Sequence, residues 1–177
     1  MNIEKLKNSV RNIPDFPIPG IQFKDVTTLF KDAQILHELT DGLYEMYKDK
    51  GITKVVGIES RGFIMGPLLA VRLNAGFVPI RKPGKLPAAV YEETYSKEYG
   101  EDAIQIHQDA INPGETVLLH DDLLATGGTM VAAVNLIRKF NPRKIYVNFI
   151  IELEELKGRG GAFDSDVQID SIIKYAI

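Results

Sequence analysis

The densest chemistry in the chain lies in the run Val117-Leu118-Leu119-His120-Asp121-Asp122-Leu123-Leu124-Ala125-Thr126-Gly127-Gly128-Thr129-Met130. An apolar strand leads into two adjacent carboxylates, then into a turn of small residues that opens a helix. Gly127 and Gly128 let the backbone approach a ligand, Thr126 and Thr129 add hydroxyl donors, and a helix N-terminus presents unpaired N–H groups. Together with Ala125 they make a cradle for a phosphate dianion. Asp121 and Asp122 are neighbouring anions that disfavour each other and want cations or hydroxyl donors nearby. A ribose 2′,3′-diol supplies two such donors. Either half alone also fits a capped turn or a plain strand end; in this order, after a buried strand, the halves favour phosphate plus ribose. No Gly-Lys-Ser/Thr run follows the strand, so it is not a Walker loop, and Gly158-Arg159-Gly160-Gly161 lacks the dinucleotide spacing.

The elements that must position this run can be read from hydrophobic spacing. Ile3, Leu6 and Val10 predict a short amphipathic helix, and the prolines between Asn12 and Pro19 an extended segment. Asp32 reads as the N-cap of a helix carrying Ile35, Leu36, Leu39, Leu43 and Met46 up to a stop at Lys50-Gly51. Strands are expected over 54–58, 77–80, 116–119 and 144–151, and helices over 62–73 and 131–140. This alternation predicts an α/β fold with a mainly parallel central sheet flanked by helices, its ligands beyond the carboxyl ends of the strands. Residues 81–109 break the alternation. Polar, rich in Tyr and Glu and interrupted by Pro83, Gly84 and Pro87, they fit a mobile lid hairpin better than core.

The chain has 177 residues, 45% apolar and 25% charged, with 21 Lys and Arg against 24 Asp and Glu for a net charge of −3. One domain spanning 1–177 is expected, without the overall basicity of a nucleic-acid binder. The absence of cysteine excludes disulfides, thiolate zinc sites and cysteine nucleophiles. No run has the roughly 20 apolar residues of a membrane helix, and the start lacks a signal-peptide core, so a cytoplasmic protein is expected, with no membrane partner.

Asp121 to Thr129 resembles the phosphoribosyl pyrophosphate (PRPP) motif of type I phosphoribosyltransferases. The similarity extends through Asp15-Phe16-Pro17 and Pro19-Gly20, Glu59-Ser60-Arg61-Gly62-Phe63, Arg81-Lys82-Pro83-Gly84-Lys85-Leu86-Pro87, Tyr95-Ser96-Lys97-Glu98-Tyr99-Gly100 and Leu156-Lys157-Gly158-Arg159. It implies that family's fold, with a flexible lid hairpin and a small N-terminal hood, and transfer of ribose 5-phosphate from PRPP to adenine, giving AMP and pyrophosphate with Mg²⁺ held mainly by the substrate.

The resemblance also implies roles for the remaining motifs. Ser60 and Arg61 would meet the leaving pyrophosphate, beside a cis peptide between Glu59 and Ser60; on its own, Arg61 would pass for a surface arginine at a helix start. Arg81, Lys82 and Lys85 form a basic run that either stays solvated or neutralises that polyanion, here completing the neighbouring subunit's site in a homodimer. Glu98 would handle the purine imidazole proton as N9 attacks C1′, under a lid sealed by Tyr99. Main chain around Gln22, with Phe23 and the apolar wall Leu153, would hold adenine. Two departures stand out: Lys24 where relatives commonly carry Arg, a residue of different fork geometry, and His120 at a usually apolar position. His37, His107 and His120 show no zinc-ligand spacing.

Transferases for another base share the PRPP motif, but the Phe16 to Phe23 segment and the lid favour adenine. Regulators that sense PRPP without catalysis normally add a DNA-binding domain, for which this length leaves no room. Glu98→Gln is predicted to lower turnover more than substrate affinity; steady-state kinetics showing no drop in turnover would remove Glu98 from the proton transfer.

Overall fold

The computed structural model describes residues 1–96, 100–160 and 166–176. The chain forms two compact units, Met1–Met46 and Tyr47–Ile177.

In the first unit, helix α1 (Ile3–Ser9) starts at Asn2, whose side chain accepts from the Lys5 amide at 3.0 Å. The segment expected to be merely extended instead pairs. Strand β1 (Arg11–Pro14) runs antiparallel to β2 (Gln22–Asp25) around a turn containing the cis Phe16–Pro17 bond. Asp25 accepts from the Thr27 hydroxyl at 2.6 Å and from Arg11 Nε at 3.0 Å, and these bonds hold its carboxyl down at about 2. After α2 (Thr27–Phe30), helix α3 (Ala33–Tyr47) begins where expected, with Asp32 Oδ1 accepting from the amides of Gln34 and Ile35 at 2.9 and 3.0 Å.

The second unit is built on β3 (Lys54–Ile58), α4 (Gly62–Arg72), β4 (Gly76–Ile80), β5 (Val90–Ser96), β6 (Glu101–His107), β7 (Thr116–Leu124), α5 (Gly128–Arg138), β8 (Lys144–Leu153) and β9 (Val167–Tyr175). Five strands form one parallel sheet in the order β4-β3-β7-β8-β9. Its central strands are nearly continuous apolar runs, as strands covered on both faces must be. The predicted mainly parallel α/β sheet flanked by helices is what the chain forms.

Three elements differ from expectation. Strand β7 continues to Leu124, so Asp121 and Asp122 lie inside it rather than beyond its end. Strand β9, absent from the sequence prediction, closes the sheet beside β8. The insertion is an antiparallel hairpin, β5 with β6, and its inner strand is core: Ile104 and Ile106 are buried with α5 and the sheet, while Tyr91 and Tyr95 pack against them. The hairpin and the alternation of Ala103-Ile104-Gln105-Ile106 are legible in the sequence; that this alternation buries every second side chain as core is not.

Gly57 on β3 and Gly66 on helix α4 leave room for the Phe77 ring. A Cβ on Gly66 would lie 2.6 Å from Phe77 Cε2, and one on Gly57 would lie 2.8 Å from the Gly62 carbonyl and 2.9 Å from the same ring atom. Each Ala substitution is therefore expected to destabilise by about 1–3 kcal/mol. Adding Phe77→Leu should recover stability for Gly66→Ala, which meets only the ring, but not for Gly57→Ala, which also meets backbone. Urea unfolding of the single and double variants checks this; equal recovery would contradict it.

Candidate active site

The chain leaves β3 toward β4 on one side of the sheet, whereas β7 continues through β8 to β9 on the other. In open α/β sheets such a reversal opens a crevice beyond the strand ends where ligands bind. The loops after β3 and β7 meet in it. Glu59–Ser60 is cis, as expected, and Arg61 stands at the start of α4. Gly62 must be glycine: a Cβ there would lie 2.9 Å from the His120 carbonyl and 3.3 Å from Asp121 Oδ1. The helix start is thus pressed against the acidic pair.

Asp122 is 2% exposed and Asp121 is half-buried. The Asp122 amide donates to Asp121 Oδ1 at 2.9 Å. Arg61 Nε stands 2.9 Å from Asp122 Oδ2, a contact of opposite charges without a directed hydrogen bond to that oxygen. Both carboxyls are pushed upward. For Asp121 the causes are burial and then the neighbouring Asp122 charge; for Asp122, burial wins over the opposing pull of Arg61. The pair thus holds a proton more readily than free carboxylates do, and added donors or cations would favour its ionised form.

Directly after the pair, Ala125 to Thr129 form the turn into α5. Gly127 adopts φ +86°, the left-handed conformation that glycine takes without strain, and no side chain caps the helix. Its first amides are therefore available to an anion. The turn, with Asp121, Leu123, Leu124, Met130 and Phe149, lines a pocket of about 100 Å³, several times what one water needs.

The basic run after β4 is partly neutralised from within. Glu59 accepts from the Lys82 amide at 2.8 Å and from Arg81 Nε at 3.3 Å; these bonds hold its carboxyl below the usual range. Arg81 Nη1 also donates to the Lys85 carbonyl at 3.4 Å, and the Lys82 ammonium pairs with Asp102. The structure thus joins Ser60, Arg61, Asp121, Asp122 and the turn, with Arg81, Lys82 and Lys85 linked to them through Glu59. Sequence reasoning had passed over Glu59 as an organiser; its signal was an acid at the exit of a buried strand.

Gln22, Phe23 and Lys24 lie on β2 of the first unit. Asn12 donates to Gln22 Oε1 at 2.7 Å and accepts from Lys24 Nζ at 2.9 Å, a point contact with none of arginine's fork, while Phe23 packs edge-on to Phe16 at 5.1 Å. Leu153 ends β8 in the second unit, half-buried. Glu98 and Tyr99 lie outside the described residues. Among the described residues no three acidic or His side chains gather as a metal-binding group. A second cluster that sequence reasoning missed, Glu152, Arg159 and Ser171, ties the loop after β8 to β9.

His120 is fully buried. Its Nδ1 lies 3.1 Å from Asn148 Oδ1, within hydrogen-bond reach, and its Nε2 has no hydrogen-bond partner. Burial drives its pKa down to about 4 against the opposing Asn148 bond.

A family model described as the phosphoribosyl transferase domain matches residues 25–174. The adenine phosphoribosyltransferase of Bacteroides fragilis is 69% identical over 170 residues, 96% of this chain and 95% of that one. The crystal structure of the Rhodothermus marinus adenine phosphoribosyltransferase is 46% identical, covers 98% of each chain and superposes with a TM-score of 0.90. That of the Saccharomyces cerevisiae enzyme, complexed with an imino-altritol bisphosphate and adenine, is 38% identical over 97% of this chain and 98% of that one, with a TM-score of 0.90.

The buried histidine and the acidic pair act oppositely on stability. A His depressed to about 4 from 6.5 binds its proton more tightly when unfolded, so its contribution, present above pH 6.5, is lost as pH falls through that window, by about 3 kcal/mol. Carboxyls raised on folding do the reverse, stabilising at low pH and losing that as pH rises. His120→Gln is expected to lose less stability than wild type between pH 7 and pH 4.5 in chemical denaturation. Identical losses would refute the buried, neutral imidazole.

Proposed function

The chain belongs to the phosphoribosyl transferase family, and from that premise we infer that it is an adenine phosphoribosyltransferase, which joins adenine N9 to C1′ of PRPP, expels pyrophosphate and yields AMP for purine salvage. The observation that carries this reading is the uncapped start of α5, with Gly127 left-handed, shortly after an acidic pair, Asp122 buried and Asp121 half-buried, at the sheet's topological switch.

Each group then has a task. The amides and hydroxyls of Ala125, Thr126, Gly127, Gly128 and Thr129 hold the 5′-phosphate. Asp121 and Asp122 accept hydrogen bonds from the ribose hydroxyls and place negative potential near the ribosyl cation that develops as the C1′–O bond lengthens. The hydroxyl donors and the cation are what the raised carboxyl pKa values call for. Arg61, with Ser60, stabilises the departing pyrophosphate, and its contact with Asp122 couples the two halves of the site. Arg81, Lys82 and Lys85 add positive charge, positioned by Glu59. Glu98 takes the adenine proton and Tyr99 shields the reaction from water; for the base, the second unit offers the apolar side chain of Leu153, and the first unit, taken by itself, offers the main chain of Gln22 with Phe23 and Lys24.

Among the described residues no third acid or His gathers with Asp121 and Asp122, which suits Mg²⁺ that arrives on its substrate; the two carboxylates would then hold it through hydrogen bonds rather than as direct ligands. Bound there, the ion would neutralise pyrophosphate charge. Helix α4 exposes Ile64, Leu68 and Val71 at i, i+4, i+7, an apolar stripe that supports a homodimer. No helix among the described residues is long and apolar enough to cross a membrane, and a polyanionic substrate suits a cytoplasmic enzyme.

Pyrophosphate release with PRPP and adenine, hypoxanthine, guanine or orotate in parallel tests the reading. Adenine should be strongly preferred; equal turnover of hypoxanthine would overturn the base assignment. Asp122→Asn should fold normally and lose about 10- to 100-fold in kcat/KM for PRPP, the range for a lost charged hydrogen bond. An unchanged value would contradict the ribose role.

A further inference from the structure

The phosphate turn is held from outside by the loop that follows β8. A Cβ on Gly127 would lie 2.3 Å from the Gly158 carbonyl oxygen; a Cβ on Gly158 would lie 2.3 Å from the Ala125 carbonyl oxygen and 2.8 Å from Leu124 Cδ1. The two loops interlock backbone against backbone, each with glycine at the point of contact.

The outer loop has little regular structure of its own. It is two short 3₁₀ turns, Glu154–Leu156 and Gly158–Gly160, joined through Lys157 at φ +50°. One side chain bolts it to the sheet. Arg159 donates from Nε and Nη2 to the two Glu152 carboxylate oxygens, both at 2.6 Å, from Nη2 to Ser171 Oγ at 2.7 Å, and from Nη1 to the Ile169 carbonyl at 2.9 Å. The Ser171 hydroxyl completes the shell around Glu152. Glu152 is 5% exposed and pairs in the sheet with Leu124, the last residue of β7 before the turn. The bolt is therefore anchored in register with the start of the turn that it braces. A fork-to-fork arginine pair fixes direction as well as distance, which a lysine cannot do.

We propose that Glu152 and Arg159 are positioning residues for 5′-phosphate binding, holding Gly158 against the Ala125–Gly127 turn so that its amides keep their aim. Neither side chain touches substrate. The inference rests on the turn being the 5′-phosphate site, as proposed above.

AMP and adenosine differ only in the 5′-phosphate, so the ratio of their affinities reads its grip alone. Titration calorimetry with both ligands on wild type, Glu152→Gln, Arg159→Lys and Gly158→Ala, with thermal unfolding of each, makes the test. Wild type should strongly prefer AMP. The variants, folded, should lose about 10- to 100-fold in AMP affinity, the scale of a misplacement near 1 Å, while adenosine affinity stays as in wild type. Folded variants that keep the wild-type ratio, or that weaken both ligands equally, overturn the bracing role while the phosphate site stands. If the two charge variants do not fold, Gly158→Ala, which leaves the bolt intact, decides by the same ratio. A wild-type protein that does not distinguish AMP from adenosine overturns the phosphate site and this proposal together.

Discussion

Two carboxylates adjacent in sequence are taken out of water at the end of a central strand, and the architecture around them answers the cost of doing so. Burial pushes both carboxyls upward. Arg61, brought from the loop after β3, supplies an opposing charge 2.9 Å from Asp122. For both acids the upward push of burial outweighs the pull of Arg61. A ligand that brings hydroxyl donors and develops positive charge opposes that push, so the tension in the protein and the stabilisation of a ribosyl cation have one electrostatic origin.

This arrangement depends on backbones approaching more closely than side chains allow. Gly62 lets α4 start against the His120 carbonyl and the acidic pair; Gly127 and Gly158 let two loops lock together. Any Cβ at these points would push apart the groups whose directions matter. Charge on the rim is organised in the same manner. Glu59 gathers Arg81 and the Lys82 backbone beside the crevice, so positive charge is oriented there rather than scattered through solvent.

The acidic pair, the turn and α5 were legible in the sequence because their geometry is local. The fourteen residues from Val117 to Met130, an apolar strand leading through acids and small residues into a helix, bring their carboxylates and first helical amides together along the chain. Asp32 as a helix cap is local in the same sense, its carboxylate reaching amides two and three residues away. The resemblance to a known family added what spacing could not, among it the cis bond at Glu59–Ser60.

Other features depended on partners far away in the chain. Ile104 and Ile106 became core only because α5 and the sheet close over β6. Arg159 reads as one more basic residue until β8 and β9 align Glu152 and Ser171 to receive it. His120 reads as a lone histidine until strand register sets Asn148 beside it. The sequence by itself thus determined the strand-acid-turn-helix unit and the class of ligand that it suits, since those follow from neighbours along the chain. Tertiary structure alone decided which charges are compensated and which loops are braced, since burial and Coulomb interaction depend on distance in space rather than on separation along the chain.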